Sequence, residues 1–121
     1  MLLETILNRV QRHKSFVYEK SEMIEKKDGP ILEVTIRPRR GSRAICSGCG
    51  QARPGYDRES KQRRFEFVPL WGMAVFFLYA MRRVDCPQCG VKVEKVPWAE
   101  GKNHLTTTYQ IFLARWAKQL S

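Results

Sequence analysis

Leu3, Ile6, Leu7 and Val10 recur at the three-to-four-residue spacing of one helix face, which predicts a short amphipathic helix over residues 2–12. Residues 15–19 (Ser-Phe-Val-Tyr-Glu) then suit a short strand, and 26–30 (Lys-Lys-Asp-Gly-Pro) a turn. Over 31–37 the period becomes two, with Leu32, Val34 and Ile36 alternating with Glu33, Thr35 and Arg37; this is a half-buried strand, closed by Pro38, which has no ladder donor. Residues 39–64 show no sustained apolar period and read as loop. Stretches 64–70, 73–84 and 91–96 are rich in Phe, Val and Leu and predict three strands that supply most of the core, the first two joined through Trp71-Gly72. A last helix is expected after a cap among Thr106, Thr107 and Thr108, with Tyr109, Phe112, Leu113, Trp116, Ala117 and Leu120 on one face. That stripe needs a partner, either the first helix or a domain outside this chain.

Composition bounds the size of the problem more than its nature. With 121 residues, 43% hydrophobic and 28% charged, the chain suits one compact domain with appended helices and is too small for a large catalytic fold. The longest apolar run, 73–81, is nine residues and too short for a membrane helix, and Glu4, Asn8 and Arg9 break up the apolar start before it reaches signal-peptide length. A soluble, unsecreted, cytoplasmic protein without a membrane partner is expected.

Charge placement changes the picture. Of the +10 net charge, residues 1–36 contribute zero, 37–64 contribute +7 and 65–121 contribute +3. The excess lies around Arg39, Arg40, Arg43, Arg58, Lys61, Arg63 and Arg64, with Arg82 and Arg83 further on. Such a local excess is the footprint of a polyanion binder, and these nine are the candidate phosphate contacts. For Arg63, Arg64, Arg82 and Arg83, a charged, solvated strand edge accounts for any single one equally well.

The chemistry lies in the cysteines. Cys46-Ser-Gly-Cys49-Gly50 is followed, 36 residues later, by Cys86-Pro-Gln-Cys89-Gly90. Two residues between cysteines let a tight turn present both thiolates to one ion, and the following glycine permits the positive φ from which backbone amides reach the sulfurs. Two such knuckles close a tetrahedral four-thiolate site, and one structural Zn2+ is the expected cofactor. The expected fold is a small α+β domain with a four-cysteine, zinc-ribbon-like β-hairpin core and flanking amino- and carboxy-terminal helices. Its divisions are 1–30 (first helix and connection), 31–100 (zinc domain) and 101–121 (last helix). Metal loss is expected to unfold at least residues 40–96. A closed site offers no position to substrate, so no enzyme is expected. His13 and His104 suit surface or capping roles, Trp71, Trp98 and Trp116 suit the core, and three scattered aspartates (Asp28, Asp57 and Asp85) do not make a two-metal nuclease. Disulfides, free thiols and rubredoxin-like iron for electron transfer remain as alternatives, the last a poor match because rubredoxins are acidic.

Several stretches together carry a resemblance: 40–50 (Arg-Gly-Ser-Arg-Ala-Ile-Cys-Ser-Gly-Cys-Gly), 64–72 (Arg-Phe-Glu-Phe-Val-Pro-Leu-Trp-Gly), 82–91 (Arg-Arg-Val-Asp-Cys-Pro-Gln-Cys-Gly-Val) and 93–101 (Val-Glu-Lys-Val-Pro-Trp-Ala-Glu-Gly). With Tyr56-Asp-Arg and Leu105-Thr-Thr-Thr-Tyr they resemble the amino-terminal zinc-finger region of bacterial insertion-sequence transposases of the ISL-three type. The resemblance implies a DNA-binding module for element ends, the terminal inverted repeats, and the charge placement assigns the contact to a basic loop and hairpin held by the metal. It also implies a chain truncated before the helix-turn-helix and nuclease regions. A protein-interaction module for transposase assembly, through self-association or association with intact transposase, is the alternative.

Overall fold

The computed structural model describes residues 3–101 and 103–120. In chain order the elements are α1 (Leu3–Val10), β1 (Phe16–Lys26), β2 (Gly29–Pro38), β3 (Gly55–Arg58), β4 (Arg63–Leu70), β5 (Met73–Tyr79), β6 (Arg82–Cys86), β7 (Gly90–Val93) and α2 (Thr107–Leu120). They form two sheets, a four-stranded one of order β1-β2-β5-β4 and a three-stranded one of order β3-β6-β7. Neighbours are antiparallel except β2 and β5, which run parallel because the chain makes a long excursion through the first cysteine pair, β3 and β4 before returning.

The expected first strand is longer than its apolar pattern suggested. β1 continues to Lys26 because β2 pairs with it from Phe16–Pro38 to Lys26–Gly29, although residues 19–26 are mostly exposed. This hairpin puts segment 1–30 and the strand after it in one sheet. Leu32, Val34 and Ile36 are buried as the alternation required. α1 covers the sheet with Leu7 while Val10 stays exposed; Leu2, the start of the expected helix, lies outside the described residues.

The expected strand 73–84 is two strands in different sheets. Val75, Phe77, Tyr79 and Met81 are buried on odd positions, and Val84 and Cys86 on even ones, so the chain changes face as it crosses from the large sheet to the small one at Ala80-Met81. The large core joins the sheet residues with Val96, Trp98 and Ala99, where the chain returns after β7. Trp98 makes edge contacts with Phe16, Phe65 and Tyr79 at ring-centroid distances of 4.9, 5.8 and 5.2 Å. The other two tryptophans are not core: Trp71, at φ 50° in the β4–β5 turn, is 79% exposed and Trp116 is 56% exposed.

Residues 104–106 run beside β4, with Glu66 N–H donating to His104 O and Thr106 N–H to Glu66 O. Thr106 is the cap of α2: its buried hydroxyl accepts from Tyr109 N–H at 3.2 Å. Thr106→Ala should lower stability by about 1 kcal/mol, measured by urea unfolding. Beyond its first turn α2 leaves the body, and residues 111–120 are exposed. From Phe112 onward the apolar stripe thus remains uncovered among the described residues, and α1 does not shield it.

Candidate metal centre and nucleic-acid interface

Each cysteine pair sits on a hairpin closed by backbone hydrogen bonds. In the first, Cys46 N–H donates to Gln51 O at 2.8 Å, and Gly50 N–H returns to Cys46 O at 2.9 Å. In the second, Cys86 and Gly90 are the last pair of the β6–β7 ladder. Gly50 and Gly90 have φ of 74° and 80°, the left-handed turn that the Cys-x-x-Cys-Gly pattern called for. The two knuckles are joined by Cys46–Glu94 bridging and by Lys95 N–H donating to Ile45 O.

All four sulfurs lie within 4.8 Å of one another, and Cys49 Sγ is 3.8 Å from Cys86 Sγ. A tetrahedron with zinc–sulfur bonds of about 2.3 Å has sulfur–sulfur edges of about 3.8 Å. Disulfide sulfurs would be about 2 Å apart, and the four cysteines are unbridged. Gly48 N–H reaches Cys46 Sγ at 3.3 Å. The Cys49 thiol is held below its ordinary pKa by the Gln51 backbone amide and then by Arg53, whose own guanidinium pKa is raised by Cys49. Four thiolates around a divalent ion leave two negative charges, which Arg53 and these amides offset.

A Cβ built on Gly48 would lie 2.7 Å from Cys89 Sγ, an atom the metal would fix in place. Gly48→Ala should therefore weaken zinc affinity by about 10- to 100-fold, as loss of ligand-orienting groups does elsewhere. Competition against a chromophoric chelator measures this.

The nine candidate cations fall into separate environments. Arg82 is largely internal: its Nη2 lies 3.0 Å from Glu94 Oε1, its Nε also donates to Glu94, and its Nη1 donates to Ser42 O. Arg63 forms a two-point pair with Glu59, and Arg83 does so with Asp57. Arg64 lies 3.9 Å over the Phe76 ring and 3.9 Å from Glu33, on the large sheet. Arg39 ties its loop to the α1–β1 linker, donating from Nε to Lys14 O at 2.8 Å. Arg58 is exposed and donates from Nε to Ala80 O. Arg40, Arg43 and Lys61 are exposed without an acidic partner among the described residues. The four arginines at 63, 64, 82 and 83 are thus not a single free cluster.

Sequence reasoning missed Arg53 beside the thiolates, and it missed Glu94. The Glu94 side chain is 0% exposed and accepts from Tyr79 Oη at 2.6 Å and Arg82 N–H at 2.8 Å, besides the guanidinium. Burial first, and Glu94 second, raise the Tyr79 pKa. A glutamate flanked by lysines in an apolar run gives no sequence signal of this kind. His13 is half-buried against Trp98, and desolvation lowers its pKa.

The short hairpins and closed four-thiolate site define a zinc ribbon, a class in which the metal is structural and no coordination position is open to substrate. Residues 42–96 match the family model for the zinc-finger of transposase IS204/IS1001/IS1096/IS1165. Over 83 residues, 68% of this chain, the sequence is 36% identical to the transposase for insertion sequence element IS1557 of Mycobacterium tuberculosis, in strains CDC 1551 / Oshkosh and ATCC 25618 / H37Rv. The matched stretch spans 18% of that transposase. No solved structure matches the chain. The 42–96 segment is a zinc finger of the insertion-sequence transposase type, and its cofactor is one structural Zn2+.

Proposed function

We propose that this chain is a zinc-stabilised DNA-binding module of an insertion-sequence transposase, acting in the bacterial cytoplasm on element-end DNA at the terminal inverted repeats. The observation that carries this is the distribution of pairing around the ribbon. Asp57, Glu59 and Glu94 are matched by Arg83, Arg63 and Arg82, while Arg40, Arg43, Arg58 and Lys61 remain exposed without a carboxylate among the described residues. Unneutralised cations of this kind release counterions when they meet phosphates.

Duplex binding should weaken with salt, each of these cations that meets a phosphate adding about −0.9 to the slope of log affinity against log salt. Fluorescence anisotropy across a salt series measures the slope. A slope near zero would remove the proposal. The uncovered stripe of α2, with Phe112, Leu113, Trp116 and Leu120 exposed, favours a second reading, an assembly role through self-association or intact transposase. Sedimentation showing self-association by a protein with no DNA affinity would select it.

A further inference from the structure

Two clefts at the junction of the large sheet and the ribbon meet at Arg43 and Arg82. The first, of about 390 Å3, lies between the α1–β1 linker and the chain leaving β7, and carries Arg12, Lys14, Arg43 and Lys95. The second, of about 400 Å3, lies between the loop after β2 and strand β3, and carries Arg43, Arg53 and Arg58. The carboxylates on these walls are Glu94 in the first and Asp57 in the second, already matched by Arg82 and Arg83. Three buried polar atoms of wall residues, His13 Nε2, Ser42 Oγ and Arg53 Nε, have no hydrogen-bond partner among the described residues.

We propose that a phosphate strand of duplex DNA follows this track, from Arg12, Lys14 and Lys95 through Arg43 to Arg58. The α1–β1 linker, in the charge-neutral first third of the chain, is then part of the contact surface, and Arg63 and Arg64 are not. Cations gathered along the rims of clefts with low-dielectric walls focus potential more strongly than charges scattered over a surface. Arg39, by binding the carbonyl of Lys14, fixes the linker against the ribbon loop and so aligns the two halves of the track. This inference rests on the DNA-binding function proposed above.

The test compares the full zinc-loaded chain with two variants in anisotropy titrations of a fluorescent duplex over a salt series. One variant is Arg12→Ala/Lys14→Ala/Lys95→Ala, all three positions exposed; the other is Lys26→Ala/Lys27→Ala, at the β1–β2 turn remote in sequence from either cleft wall. Unchanged zinc content and circular dichroism establish that each is folded. The cleft variant should lose about 2.7 from the magnitude of the salt slope, at about 0.9 per phosphate contact, and the turn variant should keep the original slope. A cleft variant with the original slope would overturn the track while leaving DNA binding intact. Equal loss per charge in the turn variant would also overturn it, by showing diffuse attraction. Failure of the unaltered protein to bind duplex would remove the underlying function itself.

Discussion

Removing the zinc should dissolve the ribbon and leave the four-stranded sheet folded. The ribbon's own cluster comprises Ala44, Cys46, Val84 and Cys86, with Cys49 and Cys89 against it, so most of its interior is the ligand set. The large sheet has a separate core in which Leu7, Val34, Phe65, Val75, Phe77 and Trp98 are all buried. Structural zinc contributes on the order of 10 kcal/mol or more, which nothing else in the ribbon can replace. The sequence placed residues 40–96 in one metal-dependent unit. The structure places β4 and β5 in the large sheet, where they pair with each other and β5 pairs with β2, so they are expected to outlast the metal. Hydrogen exchange after chelation should therefore show amides of β3, β6 and β7 losing protection while those of β2 and β5 keep theirs. Uniform loss would mean that the two sheets unfold as one.

Glu94→Ala should cost about 3–5 kcal/mol, the usual consequence of removing one partner from a buried ion pair. Glu94 lies between the sheets: Tyr79 ends β5, Arg82 begins β6, and the carboxylate just after β7 accepts from both. Its loss strands a guanidinium whose side chain is only 17% exposed and a buried phenol. Glu94→Gln retains an acceptor oxygen and should cost less. Urea unfolding of zinc-loaded protein separates the two; a loss below about 1 kcal/mol for Glu94→Ala would show that water replaces the carboxylate without penalty.

The metal site was the most legible part of the sequence, because its chemistry is local. Cys-x-x-Cys-Gly fixes the turn, the positive φ and the ligand type within five residues. The alternation at Leu32, Val34 and Ile36 was equally plain, since one face of β2 is buried and the other is not. Where long-range pairing decides, local pattern failed. β1 reaches Lys26 only because β2 holds it, and the crossing from β5 to β6 is marked in the sequence by no more than a change in the parity of apolar positions between Met81 and Val84. Charge counting found the excess over 37–64 but not its availability. Arg82 looked like a phosphate contact until Glu94 appeared beside it, and Lys14, in a segment of zero net charge, lines a basic cleft.

Binding of a terminal-repeat duplex to the protein before and after chelation tests the central claim most directly, with metal analysis of the same sample. One zinc per chain, salt-sensitive binding, and loss of that binding when the metal is withdrawn are the predicted results. A folded protein carrying one zinc that ignores DNA at low salt, or one that binds equally well without its metal, would contradict the claim that zinc builds a DNA-binding surface here.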